Sequence, residues 1–78
     1  MTEFDKIDEM LSAHFFYGFT VKRMGKFSIY HFTNYSVNRP SQIRNISVKV
    51  DRKTMGFMSA KFNDKIFYDI NELLEAIE

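Results

Sequence analysis

A chain of 78 residues with 45% apolar and 27% charged side chains lies in the globular range and has room for one core, which excludes a second domain. Cysteine is absent, which excludes disulfides and thiolate metal ligands and fits a reducing cytoplasm. No apolar run approaches the roughly 20 residues that span a bilayer, and the acidic start has no apolar run after it, so a soluble cytoplasmic protein with no signal peptide and no membrane partner is expected.

So short a chain buries only about 60% of the surface its unfolded form exposes, and its stability is marginal unless the core is dense. Nine Phe and four Tyr supply that density, since each buried ring removes roughly 150 to 250 Å² from water.

Thr2 is placed to cap a first helix, with Asp5 three positions on and Glu3 in the first turn, where negative charge suits the helix dipole. Phe4, Ile7, Met10 and Leu11 recur at helical spacing, and the helix is expected to end near Ala13. From Phe15 the period changes to two: Phe15, Tyr17, Phe19 and Val21 alternate with Phe16, Gly18, Thr20 and Lys22, the pattern of a strand. Met24-Gly25-Lys26 turns the chain into a second strand from Phe27 to Thr33. Asn34 to Ser41 carries no pattern and holds the only proline, Pro40; it reads as a surface loop bearing Tyr35, Val37 and Arg39. Ile46, Val48 and Val50 alternate with Ser47 and Lys49 as a third strand. Asp51 to Thr54 then turns into a fourth near Met55 to Phe62. Asn63-Asp64 is another turn, and a short apolar run from Ile66 to Tyr68 precedes a last helix. Asp69-Ile70-Asn71-Glu72 reads as a capping box, with Tyr68 placed to staple against Leu73, and Ile70, Leu73, Leu74 and Ile77 fill the helical template. The expected architecture is therefore a small α+β domain over residues 1–78: an antiparallel sheet of four to five strands with one helix at each terminus.

The net charge of +1 conceals a segregation along the chain. Residues 1–13 hold four acids and one Lys, and residues 63–78 five acids and one Lys. Between them stand nine bases, Lys22, Arg23, Lys26, Arg39, Arg44, Lys49, Arg52, Lys53 and Lys61, against the single acid Asp51. The sheet is basic and both helices are acidic. If both helices cover one sheet face, the alternation assigns Phe16, Lys22, Ser28, Tyr30, Phe32, Ser47 and Lys49 to the open one.

Catalysis is not expected. His14 and His31 have no acid or nucleophile near them in sequence, and no glycine-rich phosphate loop or metal-spaced ligand set occurs, so no cofactor or metal is expected. Asp5, Asp8 and Glu9 share helical spacing but read as a solvated acidic face. Two functional readings remain. The first is a non-catalytic module that binds another protein, an inhibitor or modulator of the kind phage and mobile elements encode, using an open aromatic and basic face together with the 34–41 loop. The second is a nucleic-acid binder in which aromatics stack bases and cations neutralise phosphates. Both draw on Lys22, Arg23, Lys26, Tyr30, Phe32, Tyr35, Arg39, Lys49, Arg52 and Lys53.

Gly18-Phe19-Thr20-Val21-Lys22, Phe27-Ser28-Ile29 and Phe67 before Asn71-Glu72-Leu73-Leu74, in the order helix, strands, helix, faintly resemble phosphotyrosine-binding Src-homology-2 domains. In that family the second strand carries Phe-Leu-Val-Arg, whose Arg grips the phosphate. Lys22 stands at that position here and offers only a point charge, and the chain is shorter than such domains usually are. The likeness is one of topology, and no family assignment follows from it.

Overall fold

A computed structural model describes residues 1–34 and 44–77, with Phe19 placed by its backbone alone. The order of elements is α1 (Glu3–Ala13), β1 (Phe16–Met24), β2 (Phe27–Asn34), β3 (Arg44–Asp51), β4 (Phe57–Phe62), β5 (Lys65–Phe67) and α2 (Ile70–Ile77). The five strands form one antiparallel meander in the order β1-β2-β3-β4-β5, so the α+β class holds, with both helices in the positions expected. The second strand runs one residue past Thr33, the third is longer than expected at both ends, and the fourth starts at Phe57. Tyr35 and Arg39, with most of the expected 34–41 loop, lie outside the described residues.

Local chemistry explains the ends of these elements. Thr2 and Asp5 form a reciprocal capping box: the Asp5 amide donates to Thr2 Oγ1 at 3.2 Å, and the Thr2 amide donates to Asp5 Oδ2 at 2.9 Å. Gly25 alone has positive φ in the two-residue β1–β2 turn, the pattern of a type II′ hairpin. Asn63 and Asp64 both have positive φ between paired Phe62 and Lys65, the pattern of type I′. Asp51 organises the β3–β4 turn, where its carboxylate accepts from the amides of Lys53 at 2.8 Å and Thr54 at 2.9 Å. The same turn anchors α1, because the Phe4 amide, one of the helix's orphan donors, reaches the Met55 carbonyl at 3.1 Å. At the start of α2, Asp69 Oδ1 accepts from the Asn71 amide at 2.7 Å. Tyr68 is 75% exposed, so the expected staple onto Leu73 is not made. The pleat of β5 sends Phe67 inward instead, and the next residue necessarily outward.

Both helices lie on one face of the sheet. Phe4, Ile7 and Leu11 from α1 and Leu73 and Ile77 from α2 join Phe16, Phe32, Ile46, Val48, Val50, Ala60, Phe62 and Phe67 in a single core. Directly opposed residues of neighbouring strands share a face. The pairs Ser28 with Val50, Tyr30 with Val48 and Phe32 with Ile46 therefore place these three β2 residues under the helices. This reverses the expected exposure of Phe16, Ser28, Tyr30 and Phe32. Phe16 and Phe32 are wholly buried, Ser28 nearly so, and Tyr30 is half-buried with its ring 4.2 Å from that of Phe4.

A bulge explains part of the reversal. Tyr17 pairs with Thr33 and Thr20 with His31, so Gly18 and Phe19 together oppose the single residue Phe32. Gly18 has φ +63, the left-handed conformation of a glycine bulge. The extra residue shifts the alternation of β1 by one, so that Phe16 before it and Val21 after it belong to the same side.

Candidate macromolecular interaction face

The open face follows from the register. Tyr17, Thr20, Lys22 and Met24 of β1 stand opposite Thr33, His31, Ile29 and Phe27 of β2. The rows continue through Asn45, Ser47, Lys49 and Asp51 of β3, Ser59 and Lys61 of β4, and Ile66 of β5. No helix among the described residues packs on this side.

Cross-strand pairs order its side chains. His31 Nδ1 is hydrogen-bonded to Ser47 Oγ at 2.8 Å, and Thr33 Oγ1 donates to Asn45 Oδ1 at 2.9 Å. The Lys49 ammonium lies 4.0 Å from the centre of the Phe27 ring, covering one face of that ring with positive charge. Between β2 and β5 lies a shallow depression of about 260 Å³, lined by Ile29, His31, Ser47, Lys49, Lys61 and Ile66 among others. Its large apolar side chains are Ile29 on β2 and Ile66 on the β5 edge, the latter 52% exposed. Lys49 and Lys61 stand between them on β3 and β4, and Lys22 flanks Ile29 on β1. Asp51, the one acid in these rows, has its carboxyl held below the usual 3.8, chiefly by the amides of Thr54 and Lys53 that it accepts from, and so keeps its charge.

The remaining cations gather at the hairpin end. Lys26, Arg52 and Lys53 border a recess of about 550 Å³ with Gly25 and Asp51. The Arg52 guanidinium donates to the Gly25 carbonyl at 2.9 Å, which ties the two turns together.

Of the residues singled out from sequence, Lys22 and Lys49 stand on the open face and Lys26, Arg52 and Lys53 at its hairpin end. Arg23 pairs with Ser28 and so belongs to the helix side of the edge strand, where it is exposed. Tyr30 and Phe32 offer no open-face surface, because the core takes them. Phe27, Ile29, His31, Lys61 and Ile66 were not expected on the face. The strong alternation of β3 signals them: with Val48 and Val50 inward, a hairpin turning at Gly25-Lys26 sets the parity of its neighbours. Arg44 serves the core instead, its guanidinium 5.5 Å and 5.2 Å from the ring centres of Phe16 and Phe62.

His31 and Ser47 have the spacing of a base and a nucleophile. Yet they are opposed residues on an exposed face, and His31's other cross-strand neighbour is Thr20 rather than an acid that would orient the ring. Among the described residues no group of three His, Asp or Glu is placed to hold a metal, and no helix is long and apolar enough to cross a membrane. Comparison of the chain with protein-family models, curated proteins and solved structures finds no match.

Proposed function

We propose that the domain is a non-catalytic binding module, an inhibitor or modulator, that docks an acidic surface of another protein onto its open sheet face. The observation that carries this reading is an uncovered face on which Ile29 of β2 and the exposed Ile66 of the β5 edge are interspersed with Lys22, Lys49 and Lys61. Apolar side chains flanked by charge on an uncovered face can anchor a protein interface. The cysteine-free sequence supports a cytoplasmic setting.

Area sets the extent of the contact. Five strands about 4.8 Å apart, from nine residues long at β1 to three at β5 and rising about 3.4 Å per residue, give a face of about 500 Å². A stable interface takes about 800 Å² from each partner. The hairpin end with Lys26, Arg52 and Lys53 is contiguous with the face and supplies the remainder. Arg23 belongs to the same end, on the other side of the edge strand.

Nucleic acid is the second reading, and the cation cluster at the hairpin end favours it. Base stacking on the sheet has little support, since Phe27 is half-buried and carries Lys49 on its ring.

The test uses immobilised wild-type domain and two variants, Lys22→Glu/Lys49→Glu/Lys61→Glu and Ile29→Ser/Ile66→Ser, to capture partners from nuclease-treated lysate. All substituted side chains are exposed or half-buried, so circular dichroism should show both variants folded. The expected result is one captured protein lost from both variants and indifferent to nuclease. Capture abolished by nuclease, with affinity for single-stranded DNA falling as salt rises by about 0.7 in the logarithmic slope per phosphate contacted, would establish the second reading instead.

A further inference from the structure

Four of the large apolar side chains that the fold leaves exposed belong to one stretch of chain: Phe15 at 64%, Tyr17 at 48%, Val21 at 43% and Met24 at 41%. That stretch is β1 and the residue before it. β1 is also a sheet edge, and the two edges differ. The β5 edge has only three residues before the chain leaves for α2, a short edge of the kind that discourages added strands. β1 is nine residues long, and no strand among the described residues pairs with its outer side. Beyond the bulge at Gly18, Thr20 to Met24 run in unbroken register with β2, a segment of roughly 17 Å, enough to template another strand.

The charges on this edge are all positive. Lys22 points to the open face and Arg23 to the helix side, so the edge is basic on both faces at its middle. Antiparallel pairing of β1 with a second copy, centred on this segment, sets these cations against one another, and like charges directly opposed destabilise a strand pair. The apolar neighbours Val21 and Met24 remain attractive to an apolar strand. We infer that β1 is a docking edge for an extended segment of another protein, added as a sixth strand, in which two adjacent acidic residues flanked by apolar ones lie opposite Val21-Lys22-Arg23-Met24. Main-chain hydrogen bonds supply the affinity of such an addition and the alternating side chains its specificity. The pattern apolar-acid-acid-apolar reads the same in both directions, so it is recognised whether the added strand runs parallel or antiparallel.

The probe is the capped hexapeptide Thr-Val-Glu-Glu-Val-Thr, titrated to about 5 mM into the isotopically labelled domain while backbone amide shifts are followed, a range that detects binding at the weak end of the affinity scale. The expected result is saturable shifts centred on Thr20 to Met24, with slowed amide exchange there. The Lys-Lys analogue and an analogue N-methylated along its backbone should give neither. Lys22→Glu/Arg23→Glu changes two exposed side chains; it should weaken the Glu-Glu peptide about tenfold, the scale of two cross-strand charge pairs, and should prefer the Lys-Lys peptide. The inference is overturned by an absence of shifts at the highest concentration, or by shifts centred on Ser47, Lys61 and Ile66 instead. It is also overturned by equal binding of the N-methylated peptide, by an unchanged preference in the charge-reversed variant, or by β1 shifts that grow with protein concentration alone, which would make a second copy the occupant. Lys6→Glu, an exposed change on α1 outside both surfaces, should leave peptide binding unchanged, which shows that the loss in the β1 variant is not an effect of net charge.

Discussion

The bulge at Gly18 makes an opposite-sign prediction about a single methyl group. In an ordinary extended strand, replacing glycine by alanine reduces the freedom of the unfolded chain and stabilises a protein by about 0.4 to 1 kcal/mol. Gly18 has φ +63, where an L side chain costs roughly 1 to 2 kcal/mol. A Cβ added there meets no atom within 4 Å, so backbone strain acts without a steric clash to confuse it. The difference leaves Gly18→Ala destabilised by about 0.5 to 1 kcal/mol. For a domain of this size that lowers the melting temperature by roughly 2 to 8 °C. Urea unfolding followed by circular dichroism measures it, with an unchanged slope showing that only stability moved. Gly18→Asn is the companion variant and should lose less, because asparagine tolerates the left-handed region. Stabilisation by Gly18→Ala would refute the reasoning: the residue would be extended, β1 would have no bulge, and Val21 would change sides.

Phe15 has almost the same backbone angle, φ +67, just past the α1 C-cap, and is 64% exposed; Phe15→Gly should therefore stabilise the fold by about 0.5 kcal/mol, read as a raised urea midpoint. Asp69→Ala removes the acceptor of the Asn71 amide and should cost about 1 kcal/mol, whereas an unchanged midpoint would show that α2 is capped otherwise. Asp5 and Asp51 both have carboxyls held below the usual 3.8, Asp5 chiefly by the Thr2 amide and hydroxyl, Asp51 by the Thr54 and Lys53 amides. Because the folded-state values are the lower ones, the stability they confer is complete above the unfolded value and is lost as pH falls through the folded values; Asp5→Asn/Asp51→Asn should thus flatten the loss of stability below about pH 4.

Features set by neighbours in sequence were readable without a structure. The capping box at Thr2 and Asp5 and the turns at Gly25 and Asn63-Asp64 each depend on two to four adjacent residues, and each formed; at Asp69 the expected box is only half made, since its carboxylate accepts from the Asn71 amide but Glu72 does not reach back. The basic middle of the chain was readable too, because counting charge requires no knowledge of parity. Which residues of β2 face the core was not. Phe27-Ser28-Ile29-Tyr30-His31-Phe32-Thr33 carries apolar groups on both parities, and only contacts from distant elements decide between them. Phe4 decides it here, by packing on Tyr30 and Phe32 with ring centres 4.2 Å and 6.3 Å away. Ser28 is buried as a by-product, carried in by the pleat. In β1 a glycine inside an apparent alternation was counted as a strand residue, when it marked the place where the alternation restarts.

The uncovered face follows from the size of the chain. Two helices, each about 10 Å across, cover the roughly 19 Å width of five strands once. Their lengths, eleven and eight residues or about 16 and 12 Å, leave nothing for a second layer among the described residues. One sheet face must then meet solvent, and its strands alternate between core residues inside and polar or charged ones outside, as β3 does with Val48 and Lys49. What the architecture does not require is that the outward charges be mostly of one sign. Lys22, Lys49 and Lys61 stand there against the single acid Asp51, while the helices on the far side expose Glu3, Asp5 and Glu9 of α1 beside Lys6, and Glu72 and Glu75 of α2. The molecule is therefore electrically two-sided, and an acidic partner of the kind proposed would be repelled by the helix layer and drawn to the sheet and its β1 edge. Orientation would then be selected before any contact forms, which a face of about 500 Å² needs more than a larger one would, since it has less contact area with which to reject a wrong approach.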